Sequence, residues 1–339
     1  MEPLHQKIER FLRTAEGDFD ALALELFAYQ YKLNAPYRAY CESQNVSPTS
    51  VHSWQAIPAV PVRAFKSAEL ATFPTARAAA LFESSRTTGQ TPSRHFLKDL
   101  RFYETACVKS FVQWVLPDDA KLPFLIVAPA PGEAPRSSLS WMFDTVKRKC
   151  ASSGDYFVLR GKVDSPRLAS ALKSLERPGA LLGTTLAFMA FFDYCREKKL
   201  TFALAPGSRL FDTGGMKSSG REVTRPDFLD QVDAFLGIPE TQCINEYGMC
   251  EMSSQFYGRG KSNFFEGPPW VRTLTIDPAT GEAVTDKPGL LRHLDLANVD
   301  SVMAIQTEDL GQLEGKGFRL LGRASGAEPR GCSRPMEHA

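Results

Sequence analysis

Residues 180–199 read Ala-Leu-Leu-Gly-Thr-Thr-Leu-Ala-Phe-Met-Ala-Phe-Phe-Asp-Tyr-Cys-Arg-Glu-Lys-Lys. A short apolar run over 180–183 follows Pro178-Gly179, which fits a buried strand. The longer apolar segment over 185–199 fits a helix. The same unit recurs on both sides. Upstream, Phe124-Leu125-Ile126-Val127 and Tyr156-Phe157-Val158-Leu159 read as strands, and 138–150 and 165–176 as helices. Pro166 falls in a first helical turn, where its missing N–H costs nothing. Downstream, 208–212 and 242–246 read as strands with a helix over 226–236 between them. This alternation predicts an α/β fold, a mostly parallel sheet flanked by helices on both faces.

The two ends read differently. Leu4, Ile8, Phe11 and Leu12, then Phe19, Leu22, Leu26 and Tyr29, predict helices over 4–16 and 19–33. Gly17 separates them, Asp18 suits an N-cap, and Pro36 ends the second. Prolines 58 and 61 make 56–66 extended, and 97–115 reads as a helix. After residue 268 the pattern becomes strands at 271–276 and 302–305 joined by turns, a small antiparallel β subdomain. Two parts are therefore expected, 1–267 and 268–339.

Composition excludes several classes. Of 339 residues, 43% are hydrophobic and 23% charged, which suits a globular chain with a sizeable core. Forty basic against 39 acidic residues give a net charge of +1, so neither a nucleic-acid footprint nor an electrostatic membrane anchor is expected. The longest apolar stretch, 180–192, falls short of the roughly 20 residues a membrane span needs. The first residues lack a secretory apolar core, and a cytoplasmic protein is expected. Seven cysteines, with no Cys-x-x-Cys pair, offer neither a disulfide framework nor a structural zinc site.

Four segments carry chemistry-bearing residues. The first is Glu83-Ser84-Ser85-Arg86-Thr87-Thr88-Gly89-Gln90-Thr91-Pro92-Ser93-Arg94-His95. Hydroxyls, a glycine and two arginines suit an anion such as phosphate, although a polar surface loop has the same composition. His95 suits either a phosphate contact or a capping or surface role. The second is Asn245-Glu246-Tyr247-Gly248-Met249-Cys250-Glu251, at the carboxyl end of a strand, where open α/β sheets bind ligands. Tyr247 offers a stacking face for a base and Glu251 an oxygen for Mg²⁺, while Gly248 alone would account for a plain turn. In the third, Asp309 suits two ribose hydroxyls and Arg323 a ribose or phosphate, or both are ordinary hairpin charges. In the fourth, Phe211 to Lys217, Gly214-Gly215 permits close ligand approach and Lys217 suits a carboxylate or phosphate, unless it is a solvated lysine on a flexible turn. Apolar residues on 185–199 suit either a fatty-chain tunnel or ordinary core. Ser170-x-x-Lys173 matches a nucleophile spacing by chance on an amphipathic helix.

In this order the segments resemble the adenylate-forming enzymes. Their phosphate loop, Ser-Ser-Gly-Thr-Thr-Gly, corresponds to Ser84–Gly89, and their adenine segment, Tyr-Gly-x-Thr-Glu, to Tyr247–Glu251. Their Thr-Gly-Asp and Gly-Arg elements correspond to Thr307–Asp309 and Gly322-Arg323. Over roughly 15–335 the chain is similar to the acyl-protein synthetases of the bacterial bioluminescence fatty-acid reductase complex. That similarity runs through Ile57-Pro58-Ala59-Val60-Pro61, Phe65-Lys66, Thr213-Gly214-Gly215-Met216-Lys217, Asn245 to Met249, and Leu321 to Arg323 continuing to Glu328-Pro329-Arg330-Gly331-Cys332-Ser333.

The resemblance implies ATP and Mg²⁺ as cofactors, a fatty acid substrate and an acyl reductase subunit as partner. The acid becomes an acyl-adenylate and then a thioester on Cys332, whose thiolate Arg330 and Arg334 would favour. It implies nucleotide contacts from Ser84, Ser85, Thr87, Thr88, Gly89, Arg94, Gly215, Glu246, Tyr247, Gly248, Asp309 and Arg323, with Glu251 on the metal. Larger relatives carry a catalytic lysine on a mobile C-terminal domain. Too few residues follow Arg323 for one, and Lys217 is suggested in that role. Arg86 replaces a loop glycine, where its bulk would block phosphate or else bind it, and Cys250 replaces a threonine, a weak thiol donor in place of a hydroxyl. An acyl-CoA ligase and a non-catalytic nucleotide- or acyl-binding subunit are the alternatives.

Overall fold

A computed structural model describes residues 2–84, 91–214 and 223–324. Five parallel strands lie side by side in the order Ser153–Leu159, Pro123–Pro129, Ala180–Thr184, Arg209–Thr213, Cys243–Tyr247. The chain thus starts in the interior of this layer, steps one way, then crosses back and proceeds the other way. Such a reversal leaves a crevice at the carboxyl ends of Pro123–Pro129 and Ala180–Thr184. Every residue of Ala180–Thr184 and Arg209–Thr213 is buried, as strands covered on both faces must be.

Alternate side chains feed two cores. Leu181 and Leu210 join Phe188, Phe192, Phe228 and Val232 beneath the helices Ser165–Lys173, Thr185–Lys198 and Arg225–Leu236. Leu182 and Phe211 join Phe111 and Phe143 beneath the helices Arg101–Val115 and Ser138–Cys150. Thr184 starts the helix after its strand, its hydroxyl accepting from Ala187 N–H at 3.1 Å.

The sheet then continues in antiparallel sense. Phe256–Arg259 pairs with Cys243–Tyr247, with Phe256 opposite Tyr247. Beyond it lie Phe264–Glu266, Gly317–Arg323, Ala304–Glu314, Gly289–Asp295, Val271–Ile276 and Ala283–Val284. Val60–Pro61 adds a parallel strand on Ala304–Glu314. The helices Leu4–Thr14 and Phe19–Leu33 pack on this half, where Ile8, Phe11 and Leu26 share a core with Phe65, Leu294 and Ile305. The α/β fold with a mostly parallel region and antiparallel C-terminal strands is as the alternation predicts. Among the described residues, no helix is long and apolar enough to cross a membrane.

Three local expectations need correction. Leu97 closes a strand, Arg94–Leu97, in a hairpin with Ala80–Glu83, and the helix begins only at Arg101. Asp99 makes that break, its carboxylate accepting from Arg101 N–H at 2.9 Å. Pro36 does more than end a helix. It sits in the first turn of another, Ala35–Ser43, capped by Asn34, whose side chain accepts from Tyr37 N–H at 3.1 Å. Within the extended 56–66 stretch, Ala64–Ser67 forms one helical turn. The strands Phe256–Arg259, Phe264–Glu266, Gly289–Asp295 and Gly317–Arg323 are additional to those read from the sequence.

Candidate functional site

Tyr247 ends the last parallel strand, at the seam with the antiparallel half. Its ring is packed by Phe318, His293, Phe256 and Phe265, with centroids 5.4–5.8 Å away. Its hydroxyl donates to Asp309 Oδ2 at 2.8 Å and lies 3.4 Å from His293 Nε2. Asp309 faces Arg323 across two paired strands, with Oδ1 3.3 Å from Arg323 Nε. Arg323 Nη2 donates to Glu308 at 2.7 Å, and Glu308 also pairs with Arg63. Thr307 fixes the approach by donating to Leu291 O at 2.7 Å while accepting from Asp309 N–H at 3.1 Å. Three residues far apart in sequence and singled out there, Tyr247, Asp309 and Arg323, thus form one cluster.

Glu246 points the opposite way from Tyr247, as successive strand residues do. It is buried, bonded to the Thr213 hydroxyl, and its carboxyl is pushed up to about 7 by burial, with Thr213 opposing and Asp212 adding to the shift. A Cβ on Gly248 would collide with this carboxylate, so any larger residue there would have to displace the Glu246 side chain. The following turn is clamped by its backbone. His95 is buried and donates from Nδ1 to Cys250 O at 2.9 Å, neither a surface nor a capping residue. Asn298 Nδ2 donates to Glu251 O at 2.9 Å, and its Oδ1 accepts from Ser253 N–H at 2.8 Å. Asp295 accepts from Ser253 N–H, Ser254 N–H and the Ser254 hydroxyl at 2.8–3.0 Å. The Glu251 side chain is buried, and no described cluster of three or more His, Cys, Asp or Glu could hold a metal. Behind the turn lies a shallow cleft of only about 20 Å³ walled by His95, Lys98, Phe102, Ser253, Asn298 and Asp300.

Ser84 closes the neck of the segment read from the sequence as a phosphate loop. Its N–H donates to Ser93 O at 3.1 Å, and its hydroxyl accepts from Ser93 N–H at 2.9 Å. Arg94 approaches Glu69 at 3.4 Å and lies over Phe96. Ser85, Arg86, Thr87, Thr88, Gly89, Gly215, Lys217 and Cys332 lie outside the described residues. Just before Gly215, a buried network holds the strand end. Asp212 accepts from Arg225 at 2.6 Å, Thr185 at 2.9 Å and Asn245 at 3.0 Å.

Sequence reasoning passed over Asp212, Arg225, His293, Asp295 and Asn298. Asp212 carried a signal, a charged residue inside an apolar strand, which demands a partner. His293 and Asp295 alternate with Leu294 in a strand that had not been recognised.

A family model described as "Acyl-protein synthetase, LuxE" matches residues 13–339. The chain belongs to the LuxE acyl-protein synthetase family. That membership makes it a ligase with the adenylate-forming fold. No curated protein sequence matches this one closely enough to count as a relative. Among solved structures, 2-hydroxyisobutyryl-CoA ligase, in complex with 2-HIB-AMP and CoA, superposes with a TM-score of 0.67 at 18% identity, covering 93% of this chain and 70% of that one. ATP-bound MatB from Rhodopseudomonas palustris gives 0.51 at 14% identity over 74% of this chain. The amide bond synthetase McbA from Marinactinospora thermotolerans gives 0.51 at 13% over 73%. This chain spans about half the length of each of the last two, covering 49% of either. At these identities the likeness is one of fold.

Proposed function

We propose that this LuxE-family chain uses ATP to convert a fatty acid to an acyl-adenylate and then to a thioester on Cys332, for delivery to an acyl reductase subunit. The reading is supported chiefly by the convergence of Tyr247, Asp309 and Arg323 at the carboxyl end of the parallel strands. A base stacks on the tyrosine ring and ribose hydroxyls donate to the carboxylate. In the first step a carboxylate oxygen attacks the α-phosphorus and pyrophosphate leaves. In the second, a thiolate attacks the acyl carbon and AMP leaves, splitting one difficult substitution into two easier ones. Lys217, Arg94 and the loop over 84–89 are assigned to the phosphates, whose developing charge needs cationic and N–H donors.

Mg²⁺ usually sits on one or two carboxylates plus substrate phosphates. Glu251 alone fits that donor count, and its buried carboxylate must turn outward to meet a metal arriving on ATP. The cysteine inventory favours Cys332 as acceptor. The six described cysteines are all buried. Burial pushes Cys41 and Cys195 up to about 11 and Cys243 to about 12, and raises Cys107 and Cys150 as well. Such thiols are poor nucleophiles. ATP supply agrees with a cytoplasmic location.

The test is fatty-acid-dependent exchange of labelled pyrophosphate into ATP, with labelled fatty acid followed through a denaturing gel. The expected result is exchange in both wild type and Cys332→Ser, and a hydroxylamine-sensitive adduct in wild type only. Label released to coenzyme A by both proteins would instead support an acyl-CoA ligase.

A further inference from the structure

His293 is fully buried in the strand Gly289–Asp295, against the rings of Phe256, Phe318 and Tyr247 at 4.7–5.7 Å. A phenylalanine would fill such a place with less desolvation, so the imidazole's two nitrogens ask for an account. Both are used. Nδ1 lies 3.0 Å from the hydroxyl of Thr273, its register partner on the next strand, and Nε2 lies 3.4 Å from the Tyr247 hydroxyl. The proton order follows from the end of the chain. Tyr247 donates to Asp309, so its oxygen accepts from His293. Nε2 therefore carries the hydrogen and Nδ1 accepts from Thr273. Burial keeps the ring neutral, holding its pKa down to about 3. Thr273, His293 and Tyr247 thus donate in one direction, each bond polarising the next, and the series ends on Asp309 Oδ2.

Asp309 Oδ1 meets Arg323 from the other side. Held at both oxygens, the carboxylate keeps one plane and offers its remaining lone pairs in one direction. We propose that Thr273 and His293 are positioning residues that act through Tyr247 to fix the Asp309 carboxylate, and so set the site's preference for a nucleotide with intact ribose hydroxyls. The inference rests on the adenylate-forming reading above.

The experiment measures fatty-acid-dependent pyrophosphate release with ATP, 2′-deoxyATP and 3′-deoxyATP, for wild type, His293→Phe, His293→Gln and Thr273→Val. His293→Phe keeps the ring cluster and removes the relay. It should raise KM for ATP roughly five- to tenfold, the scale of one or two lost hydrogen bonds, with little change in kcat or in KM for the fatty acid. Its preference for ATP over the deoxynucleotides should shrink by a similar factor. His293→Gln, which can still donate to Tyr247, should recover much of the difference, and Thr273→Val should show a smaller effect of the same kind. Unchanged KM and preference in His293→Phe and Thr273→Val overturn the inference, as does an equal loss with all three nucleotides and the fatty acid. Should His293→Phe not fold, Thr273→Val decides. Absence of pyrophosphate release from wild type with any fatty acid overturns the parent reading instead.

Discussion

Arg225 Nη1 donates to Asp212 Oδ1 at 2.6 Å, tying the first turn of the helix Arg225–Leu236 to the end of the strand Arg209–Thr213. Asp212 is fully buried and also accepts from Thr185 and Asn245. Removing the arginine would leave a buried carboxylate short of its counter-charge. Arg225→Ala is therefore expected to cost roughly 3 kcal/mol or more in denaturant unfolding. Adding Asp212→Asn to Arg225→Ala should recover part of that loss, because the residual charge is gone.

Glu246 makes stability depend on pH. Its carboxyl is raised from 4.5 to about 7, first by burial. A raised acid holds its proton more tightly folded than unfolded. Its contribution is complete below pH 4.5 and is lost as pH rises to about 7, by roughly 3 kcal/mol. Glu246→Gln is permanently neutral and can still accept from Thr213. Its melting temperature should exceed that of wild type at pH 8 and converge with it near pH 4.5; a constant offset across that range would contradict the assignment.

Asn298 holds the turn that carries Glu251. Besides its bonds to Glu251 O and Ser253 N–H, it donates to Val302 O at 3.1 Å. Asn298→Ala strands buried backbone groups and should destabilise by roughly 2 kcal/mol. If Glu251 meets Mg²⁺ from this turn, the variant should also need more Mg²⁺ for half-maximal pyrophosphate release, which a titration of the metal reads directly.

Thiol counting separates Cys332 from the rest. With six cysteines buried, brief alkylation of the native protein should modify at most one thiol per chain, and the full seven after unfolding. Peptide mapping should place the early label on Cys332. Rapid labelling of Cys41 or Cys250 would remove the inventory's support for it.

The α/β core was readable because its strands and helices are apolar in long, distinct runs. The helices at 19–33 and 138–150 and the strand at 271–276 coincide with those observed. What escaped has physical reasons. Gly289–Asp295 mixes Arg292, His293 and Asp295 into its pattern because the partners of the first two lie on neighbouring strands and those of Asp295 in the turn at 253–254, so no alternation marks it. Gly317–Arg323 is largely half-buried and reads as neither core nor surface. In the site, Tyr247, Asp309 and Arg323 were legible as motif residues. The bonds joining them were not, because register between strands some 60 residues apart is a property of the folded sheet.

Val60 pairs with Ile305, and Arg63 with Glu308, across a separation of 245 residues. Loops that long close slowly, and nothing rewards the closure until the late strands exist. During synthesis the parallel layer can assemble first, while the strand bearing Asp309 emerges only after all five strands of that layer. A truncated product therefore has the parallel core and Tyr247 but neither Asp309 nor Arg323, so an interrupted ribosome releases a fragment that carries only one side of the candidate site.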